Sequence, residues 1–372
     1  MKVIKALGYK AKQDIVLTAA WILGIISACI IPPDQYYITY LDGKTLGLLF
    51  CLMIVMGGLQ NQGFFTRIGS WFIGHVKNTR SLCASLIFLC FFSSMLITND
   101  VALITFVPFS LIILSMVDKR EYMIPVVAMQ TIGANLGSML TPIGNPQNLY
   151  LYSKMEMGLF SFMKIMFPFA IVTALLLLLF LMTQKKEKIH HVKVDINKLE
   201  GRGKVWMYGG LFLLSIGVIG GFIPTMVMMA ITVVLVACFD RTVFLKVDYA
   251  LLFTFIGFFI FIGNMKRIPA FSNFLSSVLQ GNEVLTAVVS SQIISNVPSA
   301  LLLSGFTDQI RELVIGTNLG GLGTLIASMA SLISYKQIVR EEPEKKKGYL
   351  IYFTCANVLF LLLLLIQYKI MY

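Results

Sequence analysis

The polar residues best placed to carry chemistry interrupt two long apolar stretches of the sequence. The interruptions read Thr98-Asn99-Asp100 and Ser295-Asn296-Val297-Pro298. Asp100 is the only acid between Asp42 and Asp118. An ionisable group within an apolar stretch is a candidate functional residue, because its burial without a role would be costly. Asp100 could exchange a proton in each cycle, coordinate Na⁺, or repel anions until it is protonated; the plainer alternative is a helix cap.

A longer polar motif follows each interruption. Residues 132–143 read IGANLGSMLTPI and residues 315–326 read IGTNLGGLGTLI, with seven of twelve positions identical. The first copy continues as TPIGNPQN over 141–148, where two prolines and a glycine prevent a continuous helix and free several carbonyl groups. Carbonyl, hydroxyl and amide oxygens suit a hard cation such as Na⁺. The N-termini of interrupted helices would present N–H groups and a positive dipole end to an anion.

These motifs also have a structural interpretation. Glycine and serine in membrane helices usually allow close packing, and asparagine can simply join helices. For any single glycine here, packing is the ordinary explanation. Because the polar motifs recur in the same order in both halves of the chain, a duplicated unit that contributes to one shared site is the better interpretation.

The elements that must position these motifs are membrane helices. Of the 372 residues, 57% are hydrophobic and 13% are charged, against about 25% charged in an ordinary soluble domain. Many apolar runs reach about 17–25 residues, the length that crosses about 30 Å of hydrocarbon. We therefore predict an all-α polytopic membrane protein. Its uninterrupted spans are predicted at 14–31, 44–61, 160–182, 205–222, 226–239, 249–263 and 349–367.

Two further apolar stretches are predicted to form re-entrant hairpins. Residues 285–306 are too few for two crossings, because two arms of about 10 residues rise only about 15 Å each. A single crossing is the alternative, but Pro298 disfavours a continuous helix through the polar tip. Residues 81–117 are long enough for two crossings, whereas the repeat symmetry favours a hairpin with Thr98–Asp100 at its tip.

This order of elements predicts two inverted repeats. The first repeat covers 1–183, a basic cytoplasmic linker covers 184–204, and the second repeat covers 205–372. Each repeat contains one hairpin and one broken transmembrane helix, at 122–150 and 312–335. Counting spans, the first hairpin enters from the cytoplasm and the second from outside. Hairpin tips and broken helices would then meet at the membrane midplane, where inverted-repeat transporters bind substrate and ions.

The net charge of +12 is concentrated in a few segments. Lys and Arg gather at 1–12, at 184–204 and in a predicted loop at 335–348, whereas 32–43 and 150–158 are nearly neutral. By the positive-inside rule, this pattern predicts a multi-pass protein of the plasma (inner) membrane with a cytoplasmic N-terminus. The lipid bilayer is therefore the expected surrounding, and a nucleic-acid partner is not expected.

Two other functional classes fit the sequence less well. A channel needs a continuous polar pore, and paired broken helices without charged rings do not provide one. An intramembrane enzyme needs a nucleophile with its base or a set of metal ligands, and no His or Cys accompanies the polar motifs. We expect no enzymatic activity, no cofactor and no metal, apart from Na⁺ or H⁺ as a coupling ion.

The motifs resemble those of the ion transporter superfamily, which groups divalent-anion/sodium symporters, citrate transporters, arsenite pumps and one class of sodium/proton antiporters. The resemblance covers nearly the whole chain, and its most specific parts are TND at 98–100, SNV at 295–297 and PIGNPQN at 142–148. It implies a homodimer in which a rigid scaffold supports a moving transport domain, which is an elevator-type mechanism.

The resemblance also implies roles for particular residues. In the anion/sodium symporters, a Ser-Asn-Thr tip on each hairpin contacts substrate and Na⁺, and a Ser or Thr four residues earlier adds a sodium ligand. Carried over, this implies one ion site at Ser94, Thr98 and Asn99 and a mirror site at Ser291, Ser295 and Asn296. The predicted cation ligands of the broken helices are Asn135, Gly144 and Asn318. The predicted substrate contacts are Asn99, Asp100, Asn145, Asn296, Val297, Pro298 and Thr324.

The third position of each tip departs from the symporter pattern, because Asp100 and Val297 lack the hydroxyl that helps to hold a carboxylate. The Asn99–Asp100 pair looks more like the arsenite-pump and sodium/proton-antiporter branches, which counts against di- and tricarboxylates. Our leading hypothesis is a secondary active transporter of a small anion, either a carboxylate or an inorganic oxyanion. Transport would be coupled to Na⁺ or H⁺ through Asp100. The alternative is a Na⁺/H⁺ antiporter with Asp100 as its exchange site.

Overall fold

The computed structural model describes residues 15–74, 76–155, 157–189 and 202–372, and within them the chain forms helices and no β-strand. The predicted class, an all-α polytopic membrane protein, is confirmed. Predictions that rest on the basic segment 1–12 and on most of the linker 184–204 concern residues outside this description.

The helices of the two halves follow one another in a similar order. In the first half they are α1 (Ile15–Ile30), α2 (Tyr37–Tyr40), α3 (Gly43–Asn61), α4 (Phe64–Ile73), α5 (Thr79–Ser93), α6 (Asn99–Met116), α7 (Met123–Gly137), α8 (Pro146–Lys154) and α9 (Leu159–Met182). In the second half they are α10 (Arg202–Ile219), α11 (Thr225–Phe239), α12 (Tyr249–Lys266), α13 (Pro269–Leu279), α14 (Glu283–Ile294), α15 (Asn296–Leu303), α16 (Ile310–Leu319), α17 (Met329–Glu341) and α18 (Lys346–Met371).

Within the described part of the chain, five helices are long and apolar enough to cross a membrane. They are α3, α6, α9, α12 and the helical segment Pro343–Met371, which contains α18. Their outward faces carry large apolar side chains, such as Leu178 on α9 and Leu362 on α18. Exposed apolar surface of this kind suits lipid rather than water. The predicted spans therefore correspond to helices, with ends that differ by a few residues.

The polar tips separate pairs of helices in both halves. Residues 94–98 join α5 to α6, and Ser295 alone joins α14 to α15. Ser295 has φ 73° and ψ 156°, a backbone conformation that residues other than glycine rarely adopt. Helices α14 and α15 have 12 and 8 residues, so they rise only about 18 and 12 Å. Neither could cross the hydrocarbon alone, whereas the 18 residues of α6 could.

The helix that follows each pair is interrupted, as predicted. Helix α7 ends at Gly137, and two 3₁₀ turns, Ser138–Leu140 and Pro142–Gly144, precede α8. Pro146 occupies the first turn of α8, where its missing N–H costs no helical hydrogen bond. In the second half, residues 320–328 separate α16 from α17 without a regular helix.

The prediction of a loop at 335–348 is wrong, because α17 and α18 occupy most of this segment. The apolar signal ends where charged residues begin, and hydropathy alone places the end of the helix there. A helix that leaves the hydrocarbon can continue when its charged side chains face water. Lys336 and Arg340 are exposed, while Ile338 between them is buried.

Two groups of helices surround the polar segments. In one group, α1 packs against α12, and α3 packs against α10, α11 and α12. In the other group, α5 and α6 pack against α7, and α14 and α15 pack against α16. The part of each broken helix before the break, α7 or α16, therefore lies beside the hairpin helices of its own half. The parts after the breaks pack against the other half, α8 against α15 and α17 against α6.

Candidate functional site

Four helices begin at the polar motifs, two after the hairpin tips and two after the helix breaks. They are α6, α8, α15 and α17, and the residues directly before them are Thr98, Asn145, Ser295 and Ser328. All four residues are of the types that usually cap a helix. None of them makes a side-chain cap, so the first-turn N–H groups of these helices receive no hydrogen bond from their N-cap side chains.

Other helices of the protein are capped in the ordinary way. Asp42 caps α3, Asn78 caps α5 and Asp248 caps α12, accepting backbone N–H groups at 3.0, 2.9 and 3.3 Å. Several other helices also lack a side-chain cap, α14 after Asn282 among them, so the relevant feature of these four N-termini is their position at the polar motifs. Uncapped N-termini leave donors and the positive end of the helix dipole available to a ligand.

An asparagine of the first broken helix links both halves of the chain. Asn135 Oδ1 accepts from Asn99 Nδ2 at 3.0 Å and from Ser328 Oγ at 3.1 Å. Asn135 Nδ2 donates to the carbonyl of Gly321 at 3.5 Å. The N-terminus of α6 and the N-terminus of α17 therefore meet at one buried amide.

The equivalent asparagine of the second repeat makes the reciprocal contact. Asn318 Oδ1 accepts from Asn145 Nδ2 at 3.5 Å, and Asn318 Nδ2 donates to Asn148 Oδ1 at 2.6 Å. In the repeat alignment, Asn318 corresponds to Asn135 and Ser328 corresponds to Asn145. Asn135 and Asn318 thus each form a hydrogen bond with the N-cap residue that follows the helix break of the other repeat.

The hairpins are pressed against the broken helices at repeated glycines. A Cβ on Gly137 would lie 2.2 Å from the Phe91 carbonyl oxygen and 2.6 Å from Ser94 Oγ. A Cβ on Gly320, the equivalent residue, would lie 2.7 Å from Ser291 Oγ. Only glycine allows this approach, so these two glycines of the repeat have a packing role.

The repeated threonines form hydrogen bonds across the same contact between hairpin and broken helix. Thr141 Oγ1 donates to the Met95 carbonyl at 2.6 Å, and Thr324 Oγ1 donates to the Gln292 carbonyl at 3.5 Å. Residues 95 and 292 follow the equivalent serines of the two hairpins. Thr324 itself is exposed. Its hydroxyl is therefore directed to the hairpin backbone rather than into the buried asparagine cluster.

Charge at the site is sparse and negative. Asp100 is half-buried at the start of α6, where its N–H donates to Asn99 Oδ1 at 2.9 Å. Among the described residues, no Lys or Arg forms an ion pair with Asp100. Positive potential at the site therefore has to come from helix N-termini or from a bound cation.

Two buried polar atoms next to the first break have no hydrogen-bond partner, Asn145 Oδ1 and Gln147 Nε2. Asn145 is only 2% exposed. A buried amide oxygen left without a partner costs about 1–3 kcal/mol. An oxygen in this position is suited to coordinate a cation, and an unsatisfied N–H is suited to an anion.

The structure brings most of the predicted site residues together. Asn99, Asn135, Asn145 and Asn318 belong to the bonded cluster. Four residues of the second tip are buried around it, Ser295, Asn296, Val297 and Pro298, and the Asn296 N–H donates to the Ala327 carbonyl at 3.0 Å.

The remaining predicted residues serve partly as packing. Ser94 and Ser291 donate to carbonyls of their own helices, at 2.9 and 2.6 Å. Gly144 lies so close to Ser138 that a Cβ would be 2.1 Å from its carbonyl oxygen. Thr98 is half-buried at the first tip.

Four residues of the cluster escaped the sequence analysis: Ser138, Asn148, Gln292 and Ser328. Ser138 Oγ accepts from Asn145 Nδ2 at 2.7 Å. Asn148 stood in the motif over 141–148 without an assigned role. Ser328 and Gln292 could have been found from the alignment of the two repeats. It pairs Ser328 with Asn145 and Gln292 with Met95.

Asn318→Ala should destabilise the protein by about 1–3 kcal/mol, because Asn148 Oδ1 would lose its donor in a buried position. The apparent melting temperature of the purified protein in detergent measures this loss. Asn357→Ala is the matched control, since Asn357 is also buried but donates only within its own helix. A loss in Asn318→Ala no larger than that in the control would show that the asparagine cluster does not stabilise the fold.

The chain is similar to membrane transporters along most of its length. The profile of CitMHS, a family described as citrate transporter, matches residues 12–311. A protein of Methanocaldococcus jannaschii named as an uncharacterized transporter is 34% identical over 319 residues, 85% of this chain and 86% of that protein. Inner membrane protein YbiR of Escherichia coli is 31% identical over 304 residues, 80% of each chain. Silicon efflux transporter LSI3 of Oryza sativa is 31% identical over 150 residues, 39% of this chain and 30% of that protein.

Proposed function

Because this chain belongs to the citrate transporter family, we propose that it is a secondary active transporter that couples movement of a small anion to Na⁺ or H⁺. The substrate class is a carboxylate or an inorganic oxyanion. Transport proceeds by alternating access around the asparagine cluster, with Asn99 and Asn296 in contact with the anion.

The observation that carries the proposal is the set of four uncapped helix N-termini at the polar motifs. The N-cap residues of α8 and α17, Asn145 and Ser328, turn their side chains to other residues of the cluster. Pro146 has no N–H, and the Ser331 N–H donates to the Ser328 carbonyl at 3.0 Å. The remaining first-turn N–H groups, those of Gln147, Asn148, Met329 and Ala330, are left to bind oxygen atoms of an anion. We expect a small anion rather than a large one, because the residues around these N-termini are buried. In the described part of the chain, none of these residues forms an ion pair with Lys or Arg.

Coupling to a cation is supported by the oxygens around the first break. Asn145 Oδ1 has no donor, and Ser94 Oγ and Thr98 Oγ1 lie on the adjoining hairpin. A Na⁺ ion at this point would satisfy the orphaned oxygen and offset the charge of an anion beside it. Asp100 is the protonatable group of the same tip, and its protonation would remove a negative charge next to the anion.

The reciprocal contacts between the repeats support the inverted arrangement. When residue i of one unit contacts residue j of the other, and j contacts i in return, the two units are related by a two-fold axis. The Asn135–Ser328 and Asn318–Asn145 pairs follow this rule. We propose on this basis that α5–α6 and α14–α15 are re-entrant hairpins from opposite sides, in an elevator-type homodimer. The name of the Escherichia coli relative supports an inner-membrane location.

The names of the relatives bear on the anion. The family description names citrate, and the rice relative is named for silicon. The tips of this chain place Asp100 and Val297 where the symporter pattern has hydroxyl groups. A compact oxyanion or a monocarboxylate therefore suits this site better than a tricarboxylate.

A Na⁺/H⁺ antiporter is the second candidate function, and the unpaired Asp100 favours it. A carboxylate without a basic partner in the described residues is free to bind Na⁺ and H⁺ in turn. In that case no anion would occupy the site.

Thermal stability of the purified protein across Na⁺, pH and a panel of anions tests the two functions. A ligand at a hundred times its dissociation constant stabilises the folded state by about 2.7 kcal/mol. We expect one class of anion to raise the melting temperature, with a larger effect at high Na⁺ or low pH. A response to Na⁺ and pH with every anion inert would instead support the antiporter and refute anion transport.

A further inference from the structure

The two hairpin tips have the same spacing, and their largest chemical difference is at the residue that follows the first serine. The first tip reads Ser94-Met95-Leu96-Ile97-Thr98-Asn99, and the second reads Ser291-Gln292-Ile293-Ile294-Ser295-Asn296. The residues around this position are held alike, because the repeated threonines donate to the carbonyls of both residues 95 and 292. Met95 and Gln292 are therefore equivalent in sequence position and in their contact with the threonine, although Gln292 lies in the last turn of α14 and Met95 lies in the non-helical segment after α5.

Gln292 bridges the non-helical segment between α16 and α17. Its Nε2 lies within hydrogen-bond distance of three carbonyls, those of Leu322 and Gly320 at 2.9 and 3.0 Å and that of Val288 in its own helix at 3.2 Å. Its Oε1 accepts from the Thr324 N–H at 2.9 Å. Gly323 has φ 106°, and a Cβ there would lie 2.4 Å from Oε1. The segment is thus wrapped closely around one side-chain amide.

This amide satisfies the same oxygens that a bound cation would use. Carbonyl groups at a helix break have no intrahelical donor, so they need either an N–H group or a metal ion. Backbone carbonyls are typical ligands of hard cations. The two N–H donors of Gln292 are directed to two such carbonyls. A cation could bind them only if the amide left.

The tip of the first repeat offers no such amide, and the carbonyls of its break receive only the longer contacts of Asn148 Nδ2, which lies 3.4 Å from the Ser138 oxygen and 3.5 Å from the Thr141 oxygen. The thioether of Met95 is a weak acceptor and has no hydrogen to donate. The equivalent break instead contains Asn145 Oδ1, which is buried without a donor. The two repeats therefore differ: the first keeps one oxygen without a donor and has only long amide contacts to its break, whereas the second has an amide at 2.9 and 3.0 Å from two break carbonyls.

We propose that the first repeat binds one Na⁺ and that the amide of Gln292 takes the place of a second Na⁺ in the second repeat. One Na⁺ is then bound per chain, and the mirror ion site implied at Ser291, Ser295 and Asn296 is not used. The inference rests on the proposed coupling to a cation but not on the identity of the anion.

Equilibrium binding of radioactive Na⁺ to the purified full chain, measured without any anion, tests the inference. The parent protein should bind one Na⁺ per chain. Met95→Gln, which introduces the amide into the first tip, should weaken Na⁺ binding by at least about tenfold, equivalent to about 1.4 kcal/mol. Leu96→Gln is the matched control, because Leu96 is exposed and its replacement should leave binding unchanged.

Gln292→Glu provides the opposite arm of the experiment. Glutamate keeps an acceptor for the Thr324 N–H but loses both donors to the carbonyls, so the site should acquire a second Na⁺. Two Na⁺ or none in the parent would overturn the proposal, and so would Met95→Gln binding like the parent. Failure of anion transport has a different signature, in which one Na⁺ binds but no anion is bound or moved. The Met95→Gln and Leu96→Gln pair decides the question whether or not Gln292→Glu folds.

Discussion

Gly137→Ala should lower transport at least about tenfold, whereas Gly133→Ala, one turn earlier on the same helix, should transport like the parent. The added methyl group at 137 would lie 2.2 Å from the Phe91 carbonyl oxygen and 2.6 Å from Ser94 Oγ. The Ser94 hydroxyl could rotate away, but the Phe91 carbonyl is backbone, so the hairpin must move away from α7. Overpacking of this kind costs about 1–3 kcal/mol, and 1.4 kcal/mol corresponds to about a tenfold change in an equilibrium.

Gly133 is a matched control because a Cβ there meets its nearest neighbours at 3.6 Å, an ordinary van der Waals distance. Substrate uptake into proteoliposomes, normalised to inserted protein, compares the two variants. If both variants transported equally, the close contact between the first hairpin and α7 would be unimportant for transport. A loss in Gly133→Ala alone would contradict the packing described here.

Asp100→Asn should remove the dependence of transport on pH while leaving the fold intact. Asparagine has nearly the same shape, and the backbone N–H of residue 100 can still donate to Asn99 Oδ1. When one group must change its protonation state, the rate changes by up to about tenfold per pH unit on the limiting side of the profile.

Uptake measured between pH 5 and 8 checks this prediction, with Asp308→Asn as a control at an exposed acid after the second hairpin. We expect the control to keep the parent's pH profile and Asp100→Asn to show a flat one. An unchanged profile in Asp100→Asn would remove Asp100 from the coupling step. A variant that still moves the anion downhill but no longer accumulates it would identify Asp100 as the coupling residue.

Family membership was predictable because the motifs are short and specific. The segments 98–100, 142–148 and 295–297 carried the resemblance to the ion transporter superfamily, and the family match over residues 12–311 confirms it. The membrane class followed from composition, since a chain with 13% charged residues cannot cover a water-facing surface. The assignment of ion ligands, the homodimer and the elevator-type motion remain predictions.

The sequence by itself determined where helices would run and where they would break. The thickness of the bilayer sets the length of an apolar helix, and proline and glycine interrupt it locally, so both signals are readable along the chain. Pro142 and Pro146 marked the first break correctly. The same signal failed at 335–348, because a helix can continue beyond the membrane where hydropathy no longer reports it.

Only the tertiary structure decided which polar atoms meet. Asn135 and Ser328 lie in different repeats, and their hydrogen bond depends on how the two broken helices cross. Thr324, a predicted substrate contact, donates to the hairpin backbone, and Gln292, which received no predicted role, bridges the second break. The reason is physical: hydrogen bonds act over about 3 Å, so their partners are set by packing rather than by spacing along the chain.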